Sequence, residues 1–217
     1  DLVKYFYEIS TKKSIRFFVM YGQTEATARI SYVPYEKLKE KIGSAGIPIP
    51  GGNIKIIENE LEVEECFKSG ELVYTGDNVM LGYATSSKCL SKGDELKGTL
   101  RTGDLAYKDE QDFVFITGRM KRFLKIFGLR LNLDEVEKLV ENTFKIQTVC
   151  IGSDDALKVL VETNEQKYLN EIKNKIVSVY GIHHTAVSIK MINYISVTSS
   201  GKRNYKEMEN LYKWLDY

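Results

Sequence analysis

Proline, cysteine, histidine and tryptophan are all scarce in this chain of 217 residues, at three, three, two and one. Each scarcity removes a class of reading. Cys66, Cys89 and Cys150 are widely scattered, so they suggest no disulfide framework, and an odd count suits reduced thiols. No Cys-x-x-Cys occurs, and the adjacent His183 and His184 read as loop residues between a helix and a strand, with no third ligand to make a zinc site. There is no apolar run of about 18 residues and no charged-then-apolar leader, so no membrane span is expected and the reading is of a soluble, cytoplasmic protein. A net charge of +1 lacks the bulk attraction of a nucleic-acid binder. No repeat, low-complexity tract or Pro/Gly/Ser-rich linker is present. The first residue is Asp1 rather than Met, which leads to the expectation of a trimmed or fragmentary chain.

What is present is ordinary globular composition. Apolar residues make up 43% and charged residues 28%, enough to build a core and to argue against wholesale disorder. Charge is unevenly placed. Residues 1–119 carry 16 basic and 18 acidic side chains (16 − 18 = −2), and residues 120–217 carry 15 and 12 (15 − 12 = +3). Between 113 and 133 there is no acid, while Arg119, Lys121, Arg122, Lys125 and Arg130 all fall there.

The texture changes twice. Residues 15–20 form a short apolar run that reads as a buried strand feeding a loop. From about 43 to 118, short β-like runs alternate with glycines, at 53–57, 71–75, 79–83, 104–107 and 113–117. The last two are joined by a polar stretch suited to a hairpin. This spacing predicts a small β-rich subdomain, barrel-like or meandering. Beyond it, 122–127 and 129–131 look like two strands broken at Gly128. Asn132 with Glu135 three residues on suggests an N-cap and capping box for a helix over 133–144, with Val136, Leu139, Val140 and Phe144 as its apolar stripe. Strands at 147–152 and 157–162, a helix at 165–180, a strand at 186–192 and a helix at about 204–215 complete a ββαββαβα order. The expected class is α+β: a β-rich part over 1–119, then a compact α+β domain over 120–217.

Four segments carry candidate chemistry. In Tyr21-Gly22-Gln23-Thr24-Glu25, a hydroxyl can donate to a phosphate oxygen, a hard carboxylate suits a hard cation, and glycine lets backbone approach a ligand. The same residues also suit a plain strand-to-loop turn. Arg101-Thr102-Gly103-Asp104 ends in a carboxylate able to accept from two adjacent hydroxyls, although Thr75-Gly76-Asp77 shows how common such a turn is. The third segment is the basic block from Gly118-Arg119 through Gly128, where Gly128 also suits a bulge or turn. The fourth is Thr198-Ser199-Ser200-Gly201-Lys202. It is not a Walker loop, because Ser196 occupies the place of the earlier glycine and Arg203 follows the lysine.

In this order and at these separations, the four segments resemble the second half of the adenylate-forming superfamily: acyl-CoA synthetases, luciferases and peptide-synthetase adenylation domains. The resemblance covers nearly the whole chain. The segments at 43–52, 70–73 and 79–83 slightly favour its acyl-CoA synthetase and luciferase branch. The superfamily's Ser/Thr/Gly-rich phosphate loop with its lysine, which precedes the Tyr-Gly-x-Thr-Glu run, is absent. A proline usually precedes the lysine loop, where Ile195 and Ser196 stand here.

The resemblance implies an ATP-dependent acid–thiol ligase that makes an acyl-adenylate and then a thioester to CoA or to the phosphopantetheine of a carrier protein. It implies ATP/AMP and Mg2+ as cofactors, a carboxylic-acid substrate, and a missing N-terminal half. By the same resemblance Thr24 meets the α-phosphate, Glu25 the magnesium, and Tyr21 the adenine, with Gly22 and Gln23 beside the nucleotide. Asp104 holds the ribose, Arg119 reaches ribose or phosphate, and Ile116 lines the pocket. Lys121 is the hinge of a mobile lid domain, Gly128 lets the pantetheine thiol approach, and Lys125 serves the thioester-forming face. Lys202 bridges carboxylate and α-phosphate. Two further readings stay open: a non-catalytic module that docks on a separate N-terminal half, and a nucleotide-binding or sensing domain with no ligase step.

Overall fold

The structure, a computed structural model, describes residues 2–214. The chain divides into two compact units, Asp1–Met120 and Lys121–Tyr217. The first begins with α1 (Leu2–Lys12), followed by three two-residue strands, β1 (Met20–Tyr21), β2 (Ser31–Tyr32) and β3 (Ile47–Pro48), in one antiparallel sheet of that order. Then come β4 (Asn53–Glu58), β5 (Leu61–Glu62), β6 (Gly70–Thr75), β7 (Thr99–Lys108) and β8 (Val114–Arg119). They form an antiparallel sheet in the order β5-β4-β6-β7-β8. Its two edges, β5 and β8, are not paired with each other, so the sheet is open and not the closed barrel that one form of the sequence reading allowed. Ile54, Ile56, Leu72, Tyr74, Leu100, Ala106 and Val114 fill its core with Ala26 and Ile30 from the preceding loop.

Two expected strands are missing from this unit. Residues 15–19 form no ladder: Ile15 and Phe18 are exposed, while Phe17 and Val19 pack against Val33, Leu38 and Phe113, a burial gained without a strand. Residues 79–83 are also irregular, because a turn closed by Val79 N–H to the Gly76 carbonyl (3.2 Å) leads into a bond from Met80 N–H to the Glu25 carbonyl (2.8 Å).

In the second unit, β9 (Phe123–Ile126) and β10 (Leu129–Asn132) form an antiparallel hairpin. Its two-residue turn has positive φ at both Phe127 (48°) and Gly128 (88°), the twist-matched hairpin conformation. Next come α2 (Leu133–Phe144), β11 (Thr148–Ser153), β12 (Ala156–Glu162), α3 (Lys167–Tyr180), β13 (Val187–Ile192) and α4 (Tyr205–Trp214). The last of these was expected to reach Leu215, which lies outside the described residues. Asn132 caps α2 by accepting from Asp134 N–H at 3.0 Å, and Lys145 ends it in the left-handed region.

β12 pairs antiparallel with β11 and parallel with β13, the chain crossing over through α3. Side-chain alternation then decides the layers. Cys150, Leu157, Val159 and Val161 face α2 and α3, whose Val136, Val140, Ile172 and Ile176 are fully buried. Val149, Ile151 and Leu160 face α4 through Met208 and Tyr212. The unit is therefore a three-layer α+β body. Ile172→Ala should destabilise it by about 2–5 kcal/mol through the cavity left behind. The check is urea unfolding followed on β12 amide signals, and a midpoint equal to that of the unaltered chain would contradict the packing described.

Candidate functional site

The first unit concentrates its polar chemistry at an irregularity in β7. Arg101 pairs with Val73 and Leu105 with Glu71, so Thr102, Gly103 and Asp104 stand where β6 supplies only Leu72. Such a bulge re-aims side chains. Gly103, at φ 71°, supplies the backbone conformation. The Thr102 hydroxyl fastens it, donating to the Leu72 carbonyl at 2.8 Å and accepting from Asp104 N–H at 3.1 Å. Asp104 is thereby turned inward and left 4% exposed.

A buried carboxylate needs donors, and they come from distant segments. The Tyr21 hydroxyl donates to Asp104 Oδ2 at 2.6 Å, and Gln23 Nε2 reaches the same oxygen at 3.0 Å and the Thr102 carbonyl at 3.1 Å. Arg119, opposite Asp104 across the β7–β8 ladder, brings its Nε to 3.0 Å from Oδ1 while its side chain stays 65% exposed. Burial, then the bond to Asp104, pushes the Tyr21 phenol upward, so it remains a proton donor to that carboxylate. Its hydroxyl is committed, which leaves the ring as the part that a base could lie against.

Gly22 has a local necessity. A Cβ there would fall 2.3 Å from the Ala28 carbonyl oxygen, so closure of the loop itself already demands glycine. Thr24 is exposed at the start of a short 3-10 turn, Thr24–Ala26. Asn78 holds that turn by donating to the carbonyls of Ala26 (2.6 Å) and Arg29 (2.8 Å). The Glu25 carboxylate accepts from the Tyr83 hydroxyl at 2.7 Å. That bond first, then a backbone bond and the charge of Arg119, holds Glu25 below the usual carboxylate range.

Tyr21, Gln23, Asp104 and Arg119 are thus joined in one network, with Glu25 within reach of the Arg119 charge. Ile116 is partly exposed on β8, opposite Ala106. Asp77, from the rival Thr-Gly-Asp, is exposed in the turn after β6. A single ionised carboxylate at Glu25 fits a magnesium ion, which keeps several waters and is commonly held by one or two carboxylates together with substrate phosphates. Sequence reasoning assigned no role to Tyr83, Asn78 or Thr102. Their partners lie 30 to 58 residues away, a separation that no local pattern encodes.

The remaining candidates belong to the second unit. Lys121 is exposed at its start, Lys125 is exposed on β9, and Gly128 occupies the hairpin turn, where an added Cβ would meet nothing within 4 Å. Its glycine is explained by positive φ. Lys202 is exposed on the loop between β13 and α4, and its ammonium makes no hydrogen bond or ion pair among the described residues.

The family described as AMP-binding enzyme matches residues 1–84. A long-chain-fatty-acid–CoA ligase of Yersinia pestis is 34% identical over 152 residues, which is 67% of this chain and 26% of that protein. A probable 4-coumarate–CoA ligase 3 of Dictyostelium discoideum is 30% identical over 206 residues, covering 88% of this chain and 37% of the relative. The chain therefore spans about a quarter of the length of the first relative and little over a third of the second. O-succinylbenzoate coenzyme A synthetase from Bacillus subtilis, solved in complex with AMP, shares the fold with a TM-score of 0.70 at 23% identity, over 94% of this chain and 43% of that one. The same synthetase has been solved with ATP and magnesium ion.

The Glu25 geometry has a direct consequence. Replacing Tyr83 by Phe removes the donor that stabilises the ionised form, so the Glu25 titration midpoint should move upward toward the usual carboxylate range. Carboxyl-carbon NMR through an acid titration reads this, and an unmoved midpoint would show that the phenol does not hold the carboxylate.

Proposed function

Because the chain belongs to the adenylate-forming superfamily, we propose that it is the C-terminal portion of an ATP-dependent acid–thiol ligase. In the first half-reaction a carboxylate oxygen of the acid attacks the α-phosphorus of ATP, the bond to the bridging oxygen breaks, and pyrophosphate leaves. In the second, the thiol sulfur of CoA or of a carrier-protein phosphopantetheine attacks the acyl carbon. AMP departs with the former carboxylate oxygen, and the product is a thioester.

The observation that carries this reading is the tying of Asp104 to Tyr21, Gln23 and Arg119, which makes one site from segments 83 residues apart. A ribose diol approaching Asp104 would exchange donors with Tyr21 and Gln23, so the carboxylate would never be left bare. The Tyr21 ring would lie against adenine, with Ile116 beside it and Gly22 and Gln23 along the nucleotide. Thr24 would donate to the α-phosphate, and Arg119, mostly exposed, would be free to shift toward ribose or phosphate. Glu25 would hold magnesium, which when bound offsets charge on the phosphates.

In the second unit, Lys202 would bring a compact cation with three donors to the attacking carboxylate and the α-phosphate. Lys121 would be the pivot on which this mobile lid unit turns between half-reactions. Gly128 would admit the pantetheine arm, with Lys125 beside it.

A second reading keeps the chemistry but divides it between chains, with this one docking on a polypeptide that carries the other half. Leu2, Tyr5, Phe6, Ile15, Phe18 and Met20 are all substantially exposed near the start of the first unit, apolar side chains of the kind that a further polypeptide covers.

The purified chain alone should give negligible ATP–pyrophosphate exchange, since the phosphate loop and most of the acid pocket are missing from its sequence. Robust exchange by these 217 residues would overturn the fragment reading. In an assembly that includes the missing half, Lys202→Ala should raise the adenylation barrier by about 3–4 kcal/mol, the usual loss for one preorganised donor. Thioester formation from supplied acyl-adenylate should persist. Equal loss of both steps would contradict the role given to Lys202.

A further inference from the structure

Lys202 itself is held by little. Its loop closes through Thr198 N–H to the Lys202 carbonyl (2.7 Å), Gly201 N–H to the Thr198 carbonyl (2.9 Å) and Lys202 N–H to Thr198 Oγ1 (3.2 Å). These are small polar residues with no apolar side chain anchoring the tip, and Val197 at its base is exposed. The flanks are another matter. Ser196 donates to Glu207, which also accepts from Asn204 Nδ2 at 2.9 Å. On the other side, Arg203 donates to Glu137 Oε2 at 2.7 Å and also pairs with Glu141.

Glu137 is the unusual member. It projects from the middle of α2 and is 3% exposed, and both its oxygens are doubly occupied. Oε1 accepts from Arg122 (2.5 Å) and from Cys150 N–H (2.8 Å), while Oε2 accepts from Arg203 and from the Tyr205 hydroxyl (3.0 Å). Arg122 is itself bound to Asp134 at 2.7 Å and to the Cys150 carbonyl at 2.6 Å, and its guanidinium lies 3.9 Å over the Tyr205 ring. One carboxylate therefore bridges the second residue of this unit and the residue directly after Lys202, which are 81 positions apart in sequence (203 − 122). A buried ion cluster is weak evidence for stability, because desolvation offsets its attraction, and its best-attested use is to fix one arrangement.

We infer that Glu137 is a positioning residue: through Arg122 and Arg203 it makes the Lys202 loop and the segment following Met120 move as one piece. The structural coupling stands by itself, and its relevance to catalysis rests on the function proposed above. In that setting, a rearrangement of the backbone at Lys121 and Arg122 is transmitted to the base of the Lys202 loop through two guanidinium–carboxylate contacts, so that lysine placement follows the state of the pivot.

The test is amide hydrogen exchange on this chain, comparing Thr198, Gly201 and Lys202 with the α3 core residues Ile172 and Ile176. Glu137→Gln keeps the shape and removes the charge, and it should speed loop exchange by about tenfold while α3 stays protected. Should that variant fail to fold, Arg122→Lys decides, because it retains charge, touches no loop residue and breaks the forked contacts. It should speed exchange at Gly201 and Lys202 several-fold, and combined with Arg203→Lys the effects should be markedly less than additive. Loop exchange unchanged in folded Arg122→Lys, or faster exchange shared equally by α3, would overturn the inference. Intact coupling in exchange alongside an assembled enzyme that forms no acyl-adenylate would instead refute the ligase reading alone.

Discussion

Much of the first unit's chemistry depends on the burial of one charge. Asp104 is turned inward by a three-residue bulge, and a carboxylate taken out of water must be given donors or lose its charge. Tyr21 and Gln23 answer on one oxygen and Arg119 on the other. That demand draws the loop after β1 against β7, and places the end of β8 beside both. The Thr24–Ala26 turn and the Glu25 carboxylate follow, pinned by Asn78 and Tyr83. The fold supplies the ladder, and the charge selects which loops gather at its irregular point.

The second unit repeats the principle in a different place. Its apolar core is formed by α2 and α3 on one side of the sheet and α4 on the other. Into that frame is set a carboxylate with four donors, linking the start of the unit to the loop that carries Lys202. In both units the buried acid sits beside irregular backbone, the bulge in β7 and the loop before α4, where apolar packing has least to hold.

The parts of this arrangement that could be read from sequence are those governed by local rules. The helix at Leu133–Phe144 carried its own cap at Asn132 and its apolar stripe, and most strands of both units fell near their expected positions. α1 is hard to read from sequence because Leu2, Tyr5 and Phe6, which are exposed, interrupt the stripe of Val3, Tyr7 and Ser10 that it turns inward. Residues 15–19 and 79–83 looked like strands because apolar runs do not say whether a pairing partner exists. At the candidate site, the residues were proposed from a family resemblance. The supporting contacts of Thr102, Asn78, Tyr83 and Glu137 were not, because each joins segments that only the folded chain brings together.

The most direct measurement of the central claim is a titration of AMP into this chain, followed on the amide signals of Gly22, Gln23, Gly103 and Arg119. The account predicts concerted, saturable shifts at all four, lost when Asp104 is replaced by Asn. Shifts of the same size in the Asp104→Asn variant, or shifts confined to the second unit, would show that the nucleotide is not held where this structure gathers its donors.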